Sequence, residues 1–123
     1  MLYSIGYQNL NSVEMLQTIL LEKGIKILLD VRSKPYSRKS SFNKKILETS
    51  LPAIGIKYNW VGKTLGGFSK IDEEDIKRLA AWQKGTVACL MCMEADPDRC
   101  HRKTDIAKRL KTYGVSVDHI EIE

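Results

Sequence analysis

The stretch IKILLDV, residues 25–31, is nearly continuous in apolar character. A strand with one wet face alternates apolar and polar residues. An almost unbroken run is what a strand buried on both faces requires, as in a parallel sheet covered by helices on each side. The preceding segment agrees with this. Val13, Leu16, Ile19 and Leu20 recur at helical spacing behind Asn11 and Glu14, which have the form of a capping box. Gly24 then supplies a helix stop. LYSIG, residues 2–6, is a short apolar run ending in glycine. Strand, helix, glycine and buried strand open a βαβ unit.

The alternation continues along the chain. Residues 32–45 form a polar, basic, serine-rich loop leading into a helix from Asn43, which Pro52 distorts near its end. IKYNWV (56–61) reads as a third strand and GKTLGGFSK (62–70) as a flexible loop. DEEDIKRLAAWQKG places acids first and Lys84 and Gly85 last, as a helix dipole and stop require. TVACLMC (86–92) is the next strand. Asp96 and Pro97 read as the N-cap and first position of a helix that ends at Tyr113 before Gly114. VSVDHIEIE closes the chain as an edge strand. The expected fold is α/β: a three-layer, Rossmann-like sandwich around a mostly parallel sheet of about five strands, in one domain over 1–123. The runs 2–6, 25–31 and 86–92 are expected to lie parallel in its core.

Composition bounds the function. At 43% hydrophobic and 28% charged residues the chain is an ordinary globular one. Its net charge of +5 suits a polyanionic or phosphorylated partner without demanding one. No basic segment followed by an apolar run opens the sequence, and no apolar stretch reaches the length of a bilayer span. A cytoplasmic protein with no membrane partner is expected, and there its three cysteines would stay reduced. Neither a Walker A loop nor a G-x-G-x-x-G motif is present, so no nucleotide cofactor is expected.

Reactive side chains are densest in CMEADPDRCHRK, residues 92–103. Cys89, Cys92, Cys100 and His101 make up the ligand count of a zinc site, but a zinc knuckle needs a turn between its first two cysteines. Here Leu90 and Met91 stand between them in a strand, and strand positions three apart point to opposite faces. No metal is expected. A reactive thiol fits better. Cys92 ends a strand, and Cys100 falls in the first turn of a helix, whose dipole favours a thiolate and makes Cys100 the more acidic. Their side chains are expected to face one another, with Cα atoms within about 7 Å, while Cys89 points into the core. Arg99, His101 and Arg102 add positive charge; Glu94, Asp96 and Asp98 oppose it. The interval from Cys92 to Arg99 is longer than the anion-binding loops of cysteine phosphatases and rhodanese sulfurtransferases. A structural account stands beside the reactive one, with Cys89 a small buried hydrophobe, Glu94 paired to Arg32 or Arg102, and Asp96 a simple cap.

Ligands of open parallel sheets bind beyond the carboxyl ends of the strands. Those ends carry Gly6 and Tyr7, then Asp30 and Arg32, then Cys92 and Glu94, so one rim collects the polar residues. Taken in order, SIGYQN (4–9), DVRSKPYSR (30–38), FNK (42–44), GIKY (55–58), LGG (65–67) and CMEADPDRCHR (92–102) resemble domain-of-unknown-function family 488 over nearly the whole chain. The resemblance implies a compact α/β fold and a site built from Asp30, Arg32, Cys92, Glu94, Cys100, His101 and Arg102. Tyr7 stands where that family often has histidine.

Two functions compete. In the first, a small enzyme or ligand-binding domain takes an anionic, nucleotide-like substrate. Arg32 and Arg102 bind the anion beside Tyr7, Cys92 or Cys100 is the nucleophile or redox thiol, and Glu94, Asp30 or His101 handles protons. In the second, the chain binds or modifies nucleic acid through the basic loop. Arg32, Lys34, Arg38, Lys39, Lys44 and Lys45 carry no acidic residue among them, and Tyr36 and Phe42 are placed to stack on bases.

Overall fold

The computed structural model describes residues 1–67 and 70–122. Five parallel strands form one sheet: β1 (Leu2–Gly6), β2 (Ile27–Asp30), β3 (Lys57–Trp60), β4 (Ala88–Cys92) and β5 (Val117–His119), in the order β3-β2-β4-β1-β5. The three runs expected at the centre are there, with β4 between β2 and β1. β5 is an edge strand, as expected, although it covers only part of the closing segment. The register aligns the strand ends, because Gly6 lies opposite Cys92 and Asp30 opposite Met91. The three chain segments that leave the sheet therefore start from one rim.

Alternation along β4 divides the core into two layers. Ala88, Leu90 and Cys92 face one side, where Leu2, Leu29 and Val31 meet Ile76 and Leu79 of a helix at Glu73–Trp82 and Ile106 and Leu110 of the last helix, 101–113. Cys89 and Met91 face the other side, where Ile5 and Leu28 pack under Leu16 and Leu20 of a helix at Val13–Glu22 and Leu47 of one at Lys44–Ser50. All five residues of β4 are buried, which explains why its sequence shows no polar positions. With helices on both faces, the sandwich has three layers.

Some local expectations shift. The first helix is capped by Ser12, whose hydroxyl accepts from the Met15 N–H at 3.3 Å, so Asn11 lies one residue too early. Within 62–70, Gly62–Leu65 is a single helical turn; Phe68 and Ser69, which complete the expected loop, lie outside the described residues, as does Glu123. The larger correction concerns the last helix. Asp96 caps only an isolated tight turn, Pro97–Arg99, accepting from the Asp98 N–H at 3.0 Å. Cys100 is then extended (φ −128°, ψ 139°), and the helix starts after it, so Cys100 is not in the first helical turn. Its carbonyl accepts from the N–H groups of Lys103 and Thr104, the position of an N-cap. The first part of this helix, Arg102–Ala107, is wound as a π-helix, with Arg102, Ile106 and Ala107 buried together. No helix among the described residues is long and apolar enough to cross a membrane.

Candidate functional site

The chain leaving β1 and β2 enters the helices of one layer, whereas the chain leaving β4 enters the last helix in the other. Diverging connections open a crevice at the strand ends. A cleft of about 430 Å³ lies there, walled by Tyr7, Arg32, Cys92, Glu94, Cys100 and His101 and rimmed by Lys34, Tyr36 and Arg99. A second cleft, about 360 Å³, lies between β3 and the Glu73–Trp82 helix and offers Asp75 and Arg78 but no cysteine or histidine.

Cys92 and Cys100 face each other across the wall of the first cleft and are joined as a disulfide, with Cα atoms 7.5 Å apart, slightly beyond the expected separation. The extended conformation of Cys100 turns its side chain back toward the strand end. Cys89 is free and fully buried on the opposite face, where burial pushes its thiol far above the ordinary range. No group of three or more His, Cys, Asp or Glu residues is placed to hold a metal among the described residues.

Asp30 and Arg32 form the second part of the site. Asp30 is fully buried; it accepts from Arg32 Nε at 2.8 Å, Arg32 Nη2 at 2.6 Å, the Arg32 N–H at 3.1 Å and Tyr58 Oη at 2.5 Å. Burial alone would lower the Arg32 pKa, but the bonds and charge of Asp30 more than offset it and hold the guanidinium above its ordinary value. Tyr58 is pushed well up, first by burial and then by Asp30. With its acceptor sites filled, Asp30 fixes Arg32 in place. Arg32 Nη1 in turn donates to Tyr7 Oη at 3.3 Å, and Tyr7 stacks on Phe42 with ring centroids 4.7 Å apart.

His101 is oriented by two backbone carbonyls. Its Nε2 lies 2.8 Å from the Leu65 carbonyl and 3.1 Å from the Val31 carbonyl, so this nitrogen carries the proton and donates. Nδ1 is the nitrogen turned to the thiol side, 3.8 Å from Cys100 Sγ. Gly67 makes this arrangement possible, since a Cβ there would stand 3.0 Å from Nδ1. The LGG triplet was the sequence trace of that close approach.

Arg102 does not reach the cleft. It is fully buried behind Cys92, where Nη1 donates to Cys92 Sγ and to the Glu94 carbonyl, each at 2.8 Å, and Nε donates to Ser4 Oγ at 3.1 Å. Since Ser4 Oγ accepts from Arg102, its own hydrogen points to His119 Nδ1. Burial, with the charges of Arg102 and Lys103, lowers the His119 pKa, which keeps the ring neutral and able to accept. Ser4, Tyr58 and His119 were not among the candidates. Ser4 alone left a signal, as the polar residue within the short apolar run LYSIG.

The basic loop is less free than its sequence suggests. Arg38 is exposed and does not line the cleft. Lys39 Nζ donates to the carbonyls of Gln8 and Leu10, tying the loop to the end of β1. Lys44 pairs with Glu48 at 3.7 Å and lies over the Trp60 ring. Phe42 is completely buried against Tyr7, so it is not available to stack on bases; Tyr36, 72% exposed, is.

No curated protein and no solved structure matches the chain. The family model described as domain of unknown function DUF488 matches residues 12–74 and 68–106, from the first helix through the β2 and β3 ends and into the last helix. That span contains every cleft residue named above except Tyr7, and the chain belongs to this family.

Proposed function

We propose that the cleft is the active site of a thiol-dependent enzyme acting on a small anionic substrate. One observation supports this above the others: two cysteines lie in bonding contact on the wall of a strand-end crevice, while the third is sealed in the core. Lys34 and Arg99 supply positive charge at the rim, Arg99 with Asp96 at 4.0 Å behind it, against the carboxylate of Glu94 on the wall. Arg32 has its charge balanced by Asp30 and serves by direction, as a cleft-lining residue fixed in place by that carboxylate. His101 Nδ1 holds or returns the Cys100 proton. Small anions are favoured over nucleic acid because the loop retains few free cations and one exposed ring.

The test uses two alkylating reagents of similar size and different charge on the reduced protein. Iodoacetate should label the cleft cysteines faster, relative to iodoacetamide, than it labels free glutathione. Replacing Lys34 and Arg99 by alanine should reduce that preference by about threefold or more, as loss of local attraction lowers the encounter rate. A preference equal to that of glutathione, or one untouched by the double substitution, would contradict the anionic assignment.

A further inference from the structure

Arg102 and Arg32 are both buried arginines of this rim, and only one has a counter-ion. Arg32 has Asp30 at 2.6 Å. Among the described residues every partner of Arg102 is neutral in the disulfide form: Ser4 Oγ, Cys92 Sγ and the carbonyls of Glu94 and Ala95. A buried guanidinium stays charged and is costly without an anion. Of its four partners, Cys92 alone can become one.

Resting on the thiol reading above, we propose that Arg102 is the built-in counter-ion of a Cys92 thiolate. Cys92 is then the acidic sulfur and Cys100 the ordinary one, the reverse of what the sequence pattern, which put Cys100 in the first helical turn, suggests. Arg102 acts as a positioning residue behind the wall, beyond the reach of substrate.

The assignment orders the redox step. A dithiol reductant, as its thiolate, attacks Cys100 Sγ; the Cys92–Cys100 bond breaks and its electron pair stays on Cys92, the better leaving group. The reductant's second thiolate then attacks its own sulfur in the mixed disulfide and releases Cys100, which takes a proton. The products are an oxidised reductant, a Cys100 thiol, a Cys92 thiolate beside Arg102 and one proton to solvent. The other groups around Cys92 do not replace Arg102. Glu94 and Asp96 on the adjoining loop disfavour a thiolate, Arg32 is neutralised by Asp30, and His119 on β5 is held neutral. His101 faces Cys100, and Tyr7 faces Arg32. Burial lowers the Arg102 pKa, which marks the desolvation that a neighbouring thiolate would relieve.

Two single-cysteine replacements test this without touching Arg102. In Cys100→Ser, ultraviolet thiolate absorbance should show Cys92 titrating at least about one unit below the ordinary value near 8.5. In Cys92→Ser, Cys100 should titrate close to that ordinary value. Adding Arg102→Gln to Cys100→Ser should lower the thiolate fraction at neutral pH about tenfold, and Arg102→Lys should restore part of it. An ordinary or raised Cys92, or a Cys100 more acidic than Cys92, would overturn the proposal even if the arginine variants fail to fold. Failure of the anionic reading is separate: it appears as a lost reagent preference, with the Cys92 titration unchanged.

Discussion

Asp30→Ala is expected to lower the unfolding free energy by about 3–5 kcal/mol, the cost of leaving a buried charge without its partner. The substitution removes three bonds from Arg32 and the acceptor of Tyr58 in one step, and Arg32, buried except where it borders the cleft, has no second carboxylate in contact among the described residues. Urea unfolding should show the loss as a lower midpoint with an unchanged slope. Asp30→Asn should lose less, because one oxygen can still accept. A loss below about 1 kcal/mol for Asp30→Ala would mean that the pair behaves as an exposed one, and that something else holds Arg32 against the cleft.

Gly6→Ala should destabilise by about 3 kcal/mol, near the upper end for overpacking, although it adds one methyl group. A Cβ at this position would stand 1.8 Å from the Glu94 carbonyl oxygen, which is backbone and cannot rotate away. That carbonyl is held by Arg102, and the neighbouring Tyr7 and Gln8 N–H groups donate to the carbonyls of Cys92 and Met93 at 3.1 and 2.9 Å. The β1 exit is thus laced to the Cys92 loop, and the strand end and the loop must separate together. The variant should unfold earlier on heating, and its Cys92 and Cys100 should cross-link more slowly in a fixed glutathione buffer. Wild-type stability would show that the loop has a second acceptable position.

The layers and the rim were legible because they follow from local pattern. Unbroken apolar runs announce strands buried twice over, and strand alternation alone separates Cys89 from Cys92. What the pattern could not show depends on distant partners. Phe42 looked like a base-stacking ring in a basic loop until Tyr7 covered it. Arg102 looked like an anion receptor because charge in a sequence carries no sign of burial. Cys100 lies outside the helix because the cap at Asp96 opens only the short Pro97–Arg99 turn, after which the backbone at Cys100 is extended. Ser4 and His119 are 115 positions apart, and nothing in either neighbourhood points to the other.

In the function proposed above, Cys92 and Cys100 form a working pair from which Cys89 is excluded. Peptide mass mapping after equilibration of the native protein with oxidised and reduced glutathione tests it most directly. Cyanogen bromide cuts after Met91 and Met93, which puts Cys89, Cys92 and Cys100 on three separate peptides, so a bond appears as a joined pair that names its two cysteines. The expected result is the Cys92–Cys100 peptide pair two hydrogens lighter, reversible with reductant, and Cys89 unmodified throughout. A bond or mixed disulfide at Cys89, or Cys92 and Cys100 each capped by glutathione without joining, would contradict it.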